Sequence, residues 1–424
     1  MNTQAIHPIH SIQREEPKLQ HRRSRHSERG QVLVIVAVGM VVLVAMVGLV
    51  VDGGYAWGKQ RDTQNAADAS AKAGAVKLAE NLAGKKPANV DADVLAAMAD
   101  TANANVVGMP HAYYTDMAGT LLDSAGAPAT GTGNAAQVGG GLIPPGASGV
   151  RAIADQTFDT FLARVIGITT LTTSADATAV SGYLASCEAS AGCVVLPVTV
   201  PVTVLACDGS NNPSPVKDAD GDKILWTSPS DPLTIPLCKN GPGNVGWLDW
   251  TPPAGGVNEL VQAILHPSNI YLKWPGWYFI TSTGNVNSKN VEDAINTYAG
   301  DPVLIPQFDL TCDATPTGPG VTDCPVGHVG GNGTNQWYHL AGMSTFQLCS
   351  NNPSKGMPEC DVPGPKNFTK GAYINGNDSA TCDTGNGATS CLAGKFVEIV
   401  YEGDVQASPG VNGASSVVGI QLIE

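Results

Sequence analysis

The chain has 424 residues and a formal net charge of −14, with only 14% charged residues, 49 Gly and 29 Pro. The acidic balance argues against nucleic acid as a partner, because neutralising phosphates takes Lys and Arg. Few charges and many turn formers fit a loop-rich, strand-containing protein better than a charged helical one.

Residues 1–29 are polar and aperiodic, which predicts a disordered arm. They hold Arg14, Lys18, Arg22, Arg23, Arg25 and Arg29 against Glu15, Glu16 and Glu28. Val32 to Val51 (VLVIVAVGMVVLVAMVGLVV) then runs without a charged or strongly polar residue. A helix of about 20 apolar residues spans about 30 Å, the thickness of a bilayer core. A soluble core helix rarely runs so long without a polar face. A cleaved signal peptide needs a shorter apolar region and a small-x-small cleavage site. Gly48-Leu49-Val50-Val51-Asp52-Gly53 is a poor one. The expectation is an uncleaved, single-pass anchor whose partner is the lipid bilayer, through residues 32–51. The Lys/Arg excess before it places the N-terminus inside the cytoplasmic membrane and the bulk outside, periplasmic or extracellular. Ala45 and Gly48 lie on adjacent turns; they would admit a neighbouring helix, or simply face lipid.

Residues 30–84 are expected to form one helix that begins in the membrane and emerges from it. Ala66, Ala67, Ala69, Ala71, Ala73 and Ala75 favour its continuation, and Gly53-Gly54 would allow a bend. Val90, Val94, Leu95, Met98, Ala102 and Val106 predict a second, amphipathic helix over 88–107. Residues 110–150 read as weak strands and loops. Phe158, Phe161, Leu162, Val165 and Ile166 share a helical face, predicting a short helix over 158–166; Leu171 to Tyr183 reads as a strand.

The texture changes near Cys187. Val194 to Leu205 alternates like a strand, but Pro197 and Pro201 restrict it to an edge or an irregular extended segment. Val291 to Tyr298 reads as helix and Pro302 to Phe308 as a buried strand. Residues 312–393 read as loops stapled by cysteine, and Lys395 to Val405 and Ser415 to Leu422 as closing strands. The fold class is α+β: a transmembrane helix extending into a helix-plus-strands unit, then a cysteine-rich, mainly-β, loop-rich outer region. The expected divisions are 1–29, a cytoplasmic arm; 30–84, the transmembrane and emerging helix; 85–186, an α+β exported unit; and 187–424, the outer region.

All ten cysteines fall between Cys187 and Cys391, which points to disulfides and an oxidising compartment. Neighbours would pair as Cys187–Cys193, Cys207–Cys238, Cys312–Cys324, Cys349–Cys360 and Cys382–Cys391, although sequence leaves the connectivity open. No C-x-x-C occurs and the histidines are scattered, which disfavours zinc.

Asp218, Asp220 and Asp222 alternate along one turn, and three such carboxylates are a candidate Ca²⁺ site. Lys223 occupies the position where an EF-hand has Gly, which favours a plain solvated acidic turn. No other cofactor is implied. The chain lacks G-x-S-x-G, H-E-x-x-H and the P-loop, so it is not expected to be an enzyme. His266, His328 and His339 would need to meet Asp249 or Asp309 in space to build a hydrolytic site. Trp247, Trp250, Trp274, Trp277, Tyr278, Trp337 and Tyr338 crowd the outer region, as core or as a partner-binding cluster, with core favoured.

The N-terminal pattern carries a resemblance. It consists of Arg29-Gly30-Gln31, the apolar span, Val50-Val51-Asp52-Gly53-Gly54, and then Gln64-Asn65-Ala66-Ala67-Asp68-Ala69-Ser70-Ala71-Lys72-Ala73-Gly74-Ala75. It resembles the N-terminal domain of the TadE/TadG-like proteins of tight-adherence (Flp, type IVb) pilus assembly. There, too, a glycine precedes the helix, a Val-Asp pair closes it and a Q-N-A-A-D-A-like block follows. Ser70 and Lys72 depart from that block. Ile35 stands where prepilins have Glu, so the resemblance does not extend to processing after Gly30. Asp68-Ala69-Ser70-Ala71-Lys72 is no metal-binding D-x-S-x-S loop. The resemblance implies a membrane-anchored, non-enzymatic structural or accessory component whose partners are other pilus-assembly or pilin-like subunits. The alternative is an anchored adhesion or binding module, calcium-supported and unconnected to pili.

Overall fold

The computed structural model describes residues 28–187, 193–207, 213–223, 232–237, 246–247, 256–267, 272–280, 289–316, 323–330, 336–349, 373–374, 390–407 and 417–423. Of the arm expected over residues 1–29, residues 1–27 lie outside them, as do Asp249, Trp250, Cys238, Cys360 and Cys382, while Glu28 and Arg29 already belong to the first helix. The contacts divide the chain into two compact units: Met1–Gly58 with Thr157–Leu171, and Lys59–Gln156 with Thr172–Glu424.

Helix α1 (Glu28–Leu82) is a single helix of 55 residues that continues through Gly53 and Gly54. At about 1.5 Å per residue it is about 80 Å long. The large apolar residues of its first part, among them Leu33, Leu43 and Leu49, are exposed. This is the apolar helix and α+β body that the sequence predicts.

In the larger unit, the second part of α1 and helix α2 (Asp91–Ala104) pack on a sheet of β1 (Gly108–Thr115), β2 (Gly149–Asp159), β3 (Thr170–Leu184), β8 (Val400–Glu402), β9 (Val405–Gln406) and β10 (Val418–Ile423). The strand order is β1-β2-β3-β10-β8, and β9 also pairs with β3. β10 runs antiparallel to β3, from Val418 opposite Tyr183 to Ile423 opposite Thr178. The last strands therefore complete the sheet begun by residues 108–184.

The core of this layer is built from small side chains. Ala66, Ala67, Ala71, Ala75 and Ala79 of α1 meet Val94 and Met98 of α2, and Val150, Ala152, Ala154, Ala175, Ala177 and Ala179 of the sheet. Gly74 shows how close the approach is. A Cβ there would stand 2.7 Å from Val150 Cγ2 and 2.8 Å from Met98 Sδ.

The second sheet centres on β5 (Pro302–Cys312) and β6 (Gln336–Leu348), antiparallel neighbours. β4 (Val198–Pro201) pairs in parallel with β5, and β7 (Ser390–Phe396) pairs with β6. Helices α3 (Val257–Leu265) and α4 (Lys289–Asn296) contribute Leu260, Ile264, Val291 and Ile295 to a core with Val198, Val200, Val303, Ile305, Phe346 and Phe396.

Two local expectations are corrected. No helix spans 158–166: β2 runs to Asp159, and only a 3-10 turn, Ala163–Ile166, follows. The apolar spacing matched a helical period, but these residues cap a hairpin. Residues 312–393 are not all loop, since β6 lies inside them. It is buried along almost its whole length, so it shows no alternation to betray a strand. For Val194 to Leu205 the irregular extended alternative fits: β4 covers only Val198–Pro201, although it pairs with β5 on one side and Gly246–Trp247 on the other. Pro197 lies just before β4 and Pro201 ends it, and each ladder is only two residue pairs long.

Candidate functional site

The feature that organises the N-terminal unit is α1 where its apolar stretch ends. Asp52 is 5% exposed although it follows an exposed span. Its Oδ1 accepts the backbone N–H of Phe161 at 2.7 Å. Its Oδ2 accepts those of Leu162 at 3.0 Å and Ala163 at 2.6 Å. These donors open the 3-10 turn Ala163–Ile166, and N–H groups at the start of a helical turn have no partner within it. A carboxylate satisfies them and suits the positive end of the turn.

Two neighbours complete the clasp. Gly48 lies four residues before Asp52 and faces Leu162; a Cβ at Gly48 would stand 3.1 Å from Leu162 Cβ. Tyr55, three residues after Asp52, meets Phe158 and Phe161 edge-on, each with ring centroids 5.2 Å apart. Positions 48, 52 and 55 lie on one helix face. The small residue at 48 thus admits a loop of the same chain.

Further along, in the larger unit, α1 is pinned to the sheet by polar contacts beside its alanine stripe. Thr63 and Thr173 share a hydroxyl–hydroxyl hydrogen bond of 2.8 Å. Gln60 donates to the Ser174 carbonyl at 3.0 Å, and Gln64 to that of Asp176 at 3.2 Å. Lys72 pairs with Glu402 of β8 at 2.5 Å. A second buried carboxylate, Asp91, accepts the Tyr114 hydroxyl at 2.7 Å and the N–H groups of Gly139 and Gly141 at 2.9 and 2.6 Å. Burial, with the Asp91 charge, pushes the Tyr114 hydroxyl well above the ordinary tyrosine range.

The remaining candidates are dispersed. Cys312 and Cys324 form a disulfide, and Cys193, Cys349 and Cys391 are also disulfide-bonded. Asp218 Oδ1 accepts the N–H groups of Asp220 at 3.0 Å and Asp222 at 2.9 Å, closing an exposed turn through Gly221 at φ +88°. Among the described residues no three His, Cys, Asp or Glu side chains are placed to hold a metal. His339 meets Asp309, Nδ1 to Oδ1 2.6 Å, beside the Trp277 ring, and His328 meets Asp313 at 2.8 Å. Trp274 and Tyr338 are core residues, while Trp277, Tyr278 and Trp337 are partly buried. An open cleft of about 560 Å³ beside Tyr113, Ser124, Thr132, Gln137 and Leu142 has no charged residue in its lining.

The geometry defines a class first: a chain with an exposed apolar N-terminal helix, long enough to cross a membrane, that continues into an α+β body. Residues 30–77 match the family model of putative Flp pilus-assembly TadE/G-like proteins. That segment is the exposed span, Asp52 and most of the buried alanine stripe, all on α1. No curated protein and no solved structure matches the chain. Sequence reasoning identified Asp52 as the acid closing the span but missed the three N–H groups it accepts. Asp91 was missed altogether; the only signal was an acid opening a helix.

Proposed function

We propose that this protein is a non-enzymatic, membrane-anchored structural or accessory component of tight-adherence (Flp) pilus assembly. Residues 32–51 cross the cytoplasmic membrane, the N-terminal arm lies inside and the body outside. The observation that carries this reading is the matched segment at 30–77, in which one helix changes from exposed and bulky to buried and small. An apolar surface with no protein over it needs lipid. The continuing stretch needs a protein layer, which the sheet supplies. The partners are other pilus-assembly or pilin-like subunits, met through the outer body.

The test is a pull-down of the full-length protein from detergent-solubilised native membranes, with partners identified by mass spectrometry. Recovery of pilus ATPase, platform or pilin subunits supports the reading. Their absence, with the protein intact and abundant, would favour an adhesion module unconnected to pili. A calcium-dependent rise in thermal stability, lost in Asp220→Ala, would favour the calcium-supported form of that rival.

A further inference from the structure

We propose that the tip of the β2–β3 hairpin, residues 161–168, is a second membrane contact: an apolar wedge seated at the boundary of headgroups and acyl chains beside α1. The proposal rests on the reading of residues 32–51 as bilayer-spanning. Depth comes from the clasp. Leu162 lies against Gly48, four residues and thus about 6 Å inside the charged end of the span at Asp52. The tip is therefore level with the last apolar turn of the helix.

Its surface suits that depth. Phe161, Val165, Ile166 and Ile168 are 59%, 78%, 76% and 44% exposed, four large apolar side chains in eight residues. In a chain of net charge −14, residues 160–171 contain no carboxylate. Their one charge is Arg164, whose guanidinium lies 3.8 Å from Asp159 at the end of β2. A long basic side chain with its head turned back from an apolar tip can sit among lipid phosphates.

The backbone suits it too. Unsatisfied N–H groups are costly away from water. The N–H groups of Phe161, Leu162 and Ala163 are held by Asp52. Those of Thr160, Val165, Gly167 and Ile168 go to the carbonyls of Thr169, Leu162, Arg164 and Ala163. The Thr160 hydroxyl donates to Ile168 O at 2.5 Å. On α1, Trp57 is 72% exposed, five residues beyond Asp52, where an interfacial aromatic would stand. Asp52 thus has a use beyond ending the span: it holds the wedge at a fixed height on the helix.

Photocrosslinking of the full-length protein tests this. A benzophenone amino acid is placed singly at Val41 in the span, at Val165 and Ile166 in the tip, and at Thr130 in an exposed loop. The variants are reconstituted in vesicles of phosphatidylcholine and phosphatidylglycerol, irradiated, and analysed for adducts by mass spectrometry. Lipid adducts at 41 and at both tip positions, with none at 130, are expected. Lipid adducts at 41 but none at the tip overturn the wedge and leave the anchor standing. Protein adducts in place of lipid at the tip also overturn the wedge. No lipid adducts at 41 overturn the anchor reading and the wedge with it. Equal adducts at 130 and 165 overturn the wedge, because labelling is then indiscriminate.

Discussion

The two parts of α1 are both apolar, for opposite reasons. Residues 32–51 carry Val, Leu, Ile and Met, and almost every one is exposed. Residues 66–79 carry mainly Ala, with Ser70 and Gly74, and the face they turn to the sheet is fully covered. Bulk serves where the surroundings are fluid and mould themselves to the side chain. Smallness serves where the surroundings are a fixed sheet whose side chains do not move aside. A helix that must do both changes residue size along its length.

That comparison can be broken with one residue type. Gly74→Leu should destabilise the folded body by about 2–3 kcal/mol, because it overpacks against Val150 and Met98. Gly39→Leu should change the stability, read from thermal unfolding in detergent, by less than about 0.5 kcal/mol, since nothing stands within 4 Å of a Cβ there. Equal losses at both positions would mean that the span is packed as tightly as the stripe.

Asp52 marks the changeover, and its removal should show as mobility of the tip. Asp52→Ala leaves the N–H groups of Phe161, Leu162 and Ala163 without their acceptor. Limited trypsin cleavage after Arg164 in detergent should then run faster than in the parent. Asp52→Asn, which keeps one acceptor oxygen, should fall between them. Unchanged cleavage in Asp52→Ala would show that Tyr55 and Gly48 hold the tip unaided.

Acid should weaken the buried end of α1 next. Burial alone would raise the Glu80 carboxyl, but hydrogen bonds from Lys85, Asn89 and Lys77 hold it below its ordinary value of 4.5. A carboxylate lowered in the folded state stabilises above its unfolded value, and that gain is lost as pH falls through the folded one. The parent should therefore lose more stability than Glu80→Gln between pH 5 and about pH 3, measured as the slope of the thermal midpoint. The smallest effect is expected at Lys72, whose pair with Glu402 is partly solvated. Lys72→Met should stay within about 0.5 kcal/mol.

What the sequence made legible follows the same division. The span, the continuing helix and the α+β class could be read from run length and alanine content, which are local properties. The clasp could not, because Phe161 lies 109 residues from Asp52. The misplaced helix at 158–166 is informative. Its apolar residues were recognised as needing a home, and Phe158 found one in the protein. Val165 and Ile166 stay exposed, and no periodicity distinguishes an apolar side chain that ends in a core from one that does not. β6 was hidden because both its faces are covered, whereas the Cys312–Cys324 disulfide joins sequence neighbours, as their spacing suggested.

The pairing of Ile423 with Thr178 bears on how this molecule is made. A ribosome delivers β3 some 240 residues before its partner β10. Until β9 and then β10 emerge, that edge of β3 lacks these partners, and bare edges recruit foreign strands. The first sheet to begin is thus among the last to close, and such long-range closure is slow. A nascent chain stopped short of Val418 would carry a sticky, half-built sheet.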